Sequence, residues 1–141
     1  MSEFVEKVRY YYQDCYFNCS EAIIRAANDY YGLQISDDDL KMFGSYGGGM
    51  FSGYICGVIC AGVAVLGKMI IQENARREQS EVRPLFQKLT RRFKEELGGI
   101  SCPELKPKYF SKETACWTTV KLGAEILEKT IEEIRKEKNI G

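Results

Sequence analysis

Apolar residues recur at three- and four-residue intervals over most of the chain, and no run alternates long enough to make a sheet strand. The pattern predicts helices, with no internal repeat. Phe4, Val8 and Tyr11 or Tyr12 fall on one side of a stretch from about Glu3 to Asp14. In "NCSEAIIRAANDYYG", Asn18 can cap a helix and Glu21 can close a capping box, with Cys19 as the first helical residue and Gly32 as the stop. Ser36 can cap a short helix that ends at Gly44, and the run Asp37-Asp38-Asp39 suits the positive end of its dipole. Leu85, Phe86, Leu89, Phe93 and Leu97 mark a helix opened by Ser80, with Pro84 tolerated in its first turn and Gly98-Gly99 at its end. Ser101 and Glu104 make a second capping box with Cys102 in the first helical position. Ser111 is placed to cap a last helix whose stripe is Cys116, Val120, Gly123, Leu127, Ile131 and Ile134.

The stretch from Gly44 to Gly67 departs from this amphipathic pattern, with eight glycines, two cysteines and no charge. After the Gly47-Gly48-Gly49 loop, Ser52 is placed to cap a long helix through Cys56, Cys60, Val65 and Ile70 that turns charged from Glu73 onward. From Tyr54 to Ile71 the only charge in 18 residues is Lys68, and Gly53 and Gly57 have the small-xxx-small spacing of packed membrane helices. That run only just reaches the usual ~20-residue membrane length. Every other helix is amphipathic, as if built to pack on a shared core, and a helix apolar on all sides suits the centre of such a bundle. The expected fold is therefore all-α, a single domain over residues 1–141. It is a compact bundle of about five to six helices around a central apolar helix at about 53–75, without membrane insertion.

Twenty basic and twenty acidic residues cancel, and the basic ones are spread along the chain. Phosphate binding relies on a concentrated positive surface, so nucleic acid is not an expected partner. The opening "MSEFVEKVRYYYQD" has neither the apolar region nor the cleavage site of a signal peptide, which points to the cytoplasm. Six cysteines are unusual there, because structural disulfides do not persist in a reducing compartment. Metal binding or redox chemistry gains weight. Histidine is absent, which removes the usual general base, mixed Cys/His zinc sites and histidine-ligated haem. A metal in this chain must be held by sulfur or carboxylate.

Cys19 and Cys102 directly follow cap residues, Cys56 lies in the first turn or so after the glycine loop, and Cys116 falls one turn inside the helix that Ser111 caps. Unpaired N–H groups and the positive dipole end at helix starts favour thiolate over thiol. If the four ends converge, they form a pocket suited to an anionic sulfur cluster or a reactive thiolate. Taken singly, each cysteine also reads as a small buried hydrophobe. Cys15 and Cys60 stand four residues from Cys19 and Cys56, which would share a helix face with them only along a continuous helix. The cap at Asn18 interrupts the first pair, and Cys60 reads as core packing.

The segments "NCSEAII", "FGSYGGGM", "CGVICAGVAVLG", "SCPEL" and "ACW" resemble, over nearly the whole chain, the small redox-active proteins named for their C_GCAxxG_C_C pattern. The resemblance implies that Cys19, Cys56, Cys102 and Cys116 are the family's four cysteines, with Cys15 and Cys60 additional. The chain departs from the family's CGAxxG element, with Val58 for the alanine and Ala61 for the glycine, and Gly62 one place later. A related domain in the split-Soret cytochrome is associated with a two-iron cluster. Its haem part does not carry over, because this chain has no CxxCH motif.

Cysteine placement and the resemblance together lead to an expected redox protein in which Cys19, Cys56, Cys102 and Cys116 hold an iron–sulfur cluster for electron transfer with a redox partner protein. Gly47, Gly48, Gly49 and Gly57 would let backbone approach the sulfurs. The competing expectation is a dithiol/disulfide oxidoreductase with Cys56 and Cys19 as redox thiols, although the compact CxxC spacing is missing. A structural zinc site ranks lower, since zinc sites of the finger type bring ligands as short-spaced pairs. The remaining alternative is a non-catalytic helical interaction module, with Tyr10, Tyr11, Tyr12, Tyr30 and Tyr31 forming a dimer or partner surface. Most of these tyrosines are expected simply to pack or snorkel, and wide apolar helix faces are compatible with a homodimer.

Overall fold

The computed structural model of the chain describes residues 1–138; residues 139–141, the end of the expected single domain, lie outside the described residues. Among the described residues seven α-helices follow one another: α1 (Glu3–Arg9), α2 (Cys19–Tyr31), α3 (Asp37–Leu40), α4 (Gly57–Ile70), α5 (Gln79–Leu97), α6 (Cys102–Tyr109) and α7 (Trp117–Lys138). Among the described residues there is no strand, only the isolated bridges Ile55 to Ser101 and Ser111 to Ala115. The fold is all-α, as the periodicity predicts.

Local chemistry sets most boundaries where the sequence places them. Asn18 Oδ1 accepts from the Glu21 N–H at 3.0 Å while Glu21 Oε1 accepts from the Asn18 N–H at 3.1 Å, so both groups of this capping box are paired. Ser101 and Glu104 repeat the arrangement at α6. Gly32 and Gly98 close α2 and α5 in the left-handed region, at φ 65° and 80°. The helix from Ser36 is a single α-turn that tightens into 3₁₀ geometry over Lys41–Tyr46.

Four boundaries move. The central helix runs over Gly57–Ile70 rather than about 53–75, because Gly48, Gly49, Met50, Phe51 and Gly53 all take positive φ and keep the chain out of a right-handed helix. Ser52 therefore does not cap α4; its hydroxyl donates to the Met50 carbonyl at 3.0 Å. Beyond Ile70 the carboxylate of Glu78 accepts the N–H groups of Gln72, Glu73 and Asn74, which folds that charged segment into a loop. Ser111 likewise caps a tight turn, accepting from the Thr114 N–H at 3.0 Å, and α7 begins only at Trp117. The α5 helix opens at Gln79, which puts Pro84 in its second turn.

The core gathers around α4, whose Val58, Ala61, Val65 and Leu66 are almost fully buried between α2, α5 and α7. Gly62 lets the Phe93 ring of α5 come so close that a Cβ would stand 2.9 Å from it. Val58, the residue at which the chain departs from the family's alanine, packs where α7 carries Gly123, so the larger side chain is matched by a missing one. Each fully buried Leu, Ile or Phe in such a core contributes about 1.5–3 kcal/mol relative to exposure. No helix among the described residues is long and apolar enough to cross a membrane.

Candidate functional site

Two of the four cysteines open helices as their first residue, Cys19 in α2 and Cys102 in α6. The other two stand immediately before helices. The Cys56 carbonyl accepts from the Cys60 N–H at 3.2 Å at the start of α4, and the Cys116 carbonyl accepts from the Val120 N–H at 3.0 Å at the start of α7. Cys116 is thus not one turn inside its helix, because the strained Ala115, at φ 54°, turns the chain just ahead of it. Four cysteines mark four helix starts.

The four starts converge. Cys19, Cys56, Cys102 and Cys116 all line one cavity of about 640 Å³, while Cys15 and Cys60 do not. Cys56 and Cys102 are brought together by backbone, since the Cys56 N–H donates to the Ile100 carbonyl and the Cys102 N–H to the Tyr54 carbonyl, each at 2.8 Å. Cys19 is set against the start of α4: a Cβ at Gly57 would lie 2.8 Å from the Cys19 Sγ and 2.8 Å from the Tyr46 carbonyl oxygen. Gly48, at φ 64°, lines the same cavity and turns its N–H toward the Cys19 sulfur. Gly47 and Gly49 lie off the cavity. A side chain at Gly47 would strike Asn18, and one at Gly49 would strike the Tyr54 backbone, so they shape the loop that carries Gly48.

All six cysteines are free thiols. Burial pushes the Cys19 thiol up to about 11, against the pull of the Gly48 and Ser20 N–H groups, and the neighbouring Cys116 and Cys102 add to the rise. Burial likewise takes Cys56 to about 12, with Cys19 as the next cause and the Val58 and Ile59 N–H groups opposing it. Cys116 is raised by burial and eased down by Lys106 and by its hydrogen bond with Tyr12. At Cys19 and Cys56 the thiolate expected from helix position alone is therefore not the form held near neutral pH. The N–H groups act in the expected direction, but desolvation outweighs them.

Spacing along the sequence does not reveal Tyr12 as part of this wall. Its hydroxyl accepts from the Cys116 N–H at 2.9 Å, and its ring stacks on Trp117 with centroids 6.2 Å apart. Lys106 was legible in principle, because it stands one turn after Cys102 on the same side of α6. Of the other tyrosines offered as a partner surface, three pack or bond near the opposite end of α2: Tyr30 and Tyr31 lie against Phe4, and Tyr11 donates to Asp29 at 2.5 Å. Tyr10 stays half exposed.

Among the described residues, no three His, Cys, Asp or Glu side chains are placed to hold a single metal ion. The four cysteines line a shared cavity, and four thiolates are the usual donor set of an iron–sulfur cluster. No curated protein and no solved structure matches the chain. The sequence pattern of one family, described as Putative redox-active protein (C_GCAxxG_C_C), matches residues 17–130.

Proposed function

The chain belongs to the C_GCAxxG_C_C family of redox-active proteins, and from that premise we propose that Cys19, Cys56, Cys102 and Cys116 bind an iron–sulfur cluster that serves electron transfer. The observation that carries this reading is that these four cysteines, at the starts of four different helices, line one cavity while the other two do not. A cluster bound there supplies reversible one-electron chemistry, at a potential tuned by burial and by hydrogen bonds to sulfur.

The residues around the cysteines have complementary tasks. Gly57 leaves room for the Cys19 sulfur, and Gly48 offers it an N–H. Val58 and Ile59 offer theirs to Cys56, which is only 6% exposed and so is kept from water. Lys106 places a positive charge near Cys116, offsetting negative charge on the sulfurs. Electrons would be exchanged with a redox partner protein.

Protein purified without oxygen should carry iron and acid-labile sulfide in matching amounts. Serine at any of the four cysteines should abolish both, whereas Cys15→Ser and Cys60→Ser should retain them. A protein free of iron and sulfide under these conditions contradicts the reading. The second reading, dithiol/disulfide exchange through Cys19 and Cys56, is favoured by the approach of the Cys19 sulfur to Gly57, the residue after Cys56. Its signature would be a Cys19–Cys56 disulfide, mapped by mass spectrometry, that forms and breaks within a physiological potential range.

A further inference from the structure

Tyr12 precedes the matched stretch of residues 17–130, yet it lines the cysteine cavity. It reaches the site because the end of α1 widens into a π-helical turn over Tyr10–Asp14, a local rewinding often found at functional sites. Three observations fix its role. The N–H of Cys116, ahead of α7, has no carbonyl of its own helix to pair with, and the Tyr12 hydroxyl oxygen takes that bond at 2.9 Å. The ring is held by its stack on Trp117, at an interplanar angle of 26°. Because the oxygen accepts from the amide, its own proton is left to donate, and Tyr12 and Cys116 line the same cavity wall.

We propose that Tyr12 is a positioning residue of the four-cysteine site, fixing Cys116 through its amide and donating its hydroxyl proton to the Cys116 sulfur, and that it thereby raises the midpoint potential. This rests on the cluster reading above. Added negative charge in the reduced state spreads onto the ligand sulfurs, so a donor on sulfur stabilises the reduced form more than the oxidised one. The balance is one electron in and none out, with no covalent bond made or broken. The phenol keeps its proton throughout, so no proton is moved in this step.

The test pairs two variants with two readouts. Tyr12→Phe keeps the ring and removes the hydroxyl; Tyr16→Phe removes a hydroxyl from the same cavity wall, on a side chain that is 95% exposed. In protein purified without oxygen, an optical redox titration should give a more negative midpoint potential for Tyr12→Phe and an unchanged one for Tyr16→Phe. In metal-free protein, amide exchange at Cys116 should quicken about tenfold in Tyr12→Phe alone, the factor that loss of one hydrogen bond allows. An unchanged potential in Tyr12→Phe, or an equal shift in Tyr16→Phe, overturns the proposal. If the parent protein loads neither iron nor sulfide, the cluster reading falls with the potential-raising role. Amide exchange then decides the positioning role by itself, unchanged exchange overturning it and faster exchange supporting it.

Discussion

The same helices build two different cavities. Three of the four that start at the cysteine cavity, α2, α4 and α7, also line a second of about 300 Å³ through Tyr31 and Gly32, through Leu66 and Ile70, and through Ile131 and Arg135. The first cavity gathers helix starts, whose spare N–H groups suit sulfur and negative charge. The second gathers residues from the carbonyl ends, and the charges on its wall are Lys68 and Arg135, with the Arg135 guanidinium 5.1 Å from the centre of the Tyr31 ring. Helix polarity has sorted part of the chemistry: the four cysteines stand where donors are in surplus, and Lys68 and Arg135 where acceptors are, while Lys106 and Lys112 bring positive charge to the first cavity as well. A cavity alone is therefore a poor pointer to function, and the direction of the helices around it says which charge it can hold.

Substitutions at the two ends should separate them. The largest effect is expected for Gly57→Ala, whose methyl would press on both the Cys19 sulfur and the Tyr46 carbonyl. Denaturant unfolding should show a loss of about 1–3 kcal/mol, and iron content should fall with it. Asn18→Ala removes the α2 cap and the 3.0 Å bond to the Gly44 carbonyl, and should cost about 1–2 kcal/mol. At the far end, Gly32→Ala meets open space but keeps the left-handed backbone, so thermal melts should show about 1 kcal/mol with iron content unchanged. Equal loss of iron in Gly32→Ala and Gly57→Ala would break the comparison.

The smallest effect is pH-dependent. Three backbone N–H groups, from Gln72, Asn74 and Glu73, hold the Glu78 carboxyl below its usual 4.5. Its folded value lies below its unfolded one, so its contribution is present above the unfolded value and lost as pH falls through the folded one. The stability gap between the parent protein and Glu78→Gln should accordingly be constant near neutral pH and close in acid. A gap that stays open in acid would mean that the loop after α4 is held by something other than this carboxylate.

Local signals were the legible ones. Both capping boxes and both glycine stops are written in residues a few positions apart, so Asn18, Glu21, Ser101 and Glu104 place α2 and α6 directly, with a cysteine at the head of each. The start of α4 was harder, because Ser52 looks like a cap while the outcome is decided by left-handed backbone at Met50 and Phe51, residues whose composition does not announce it. The same holds at Ser111, whose hydroxyl serves a turn instead of a helix. At Cys19 and Cys56 the thiol ionisation expected from helix position was overturned by burial, which depends on the whole packing. Tyr12 was out of reach for a simpler reason: its bond to Cys116 joins residues 104 positions apart.

The most direct test of the four-cysteine site is alkylation followed by mass spectrometry, on protein handled without oxygen, before and after loading with iron and sulfide. Cys19, Cys56, Cys102 and Cys116 should become protected together on loading, while Cys15 and Cys60 react as before. Unchanged labelling of all six, or protection of a set other than these four, would contradict the account.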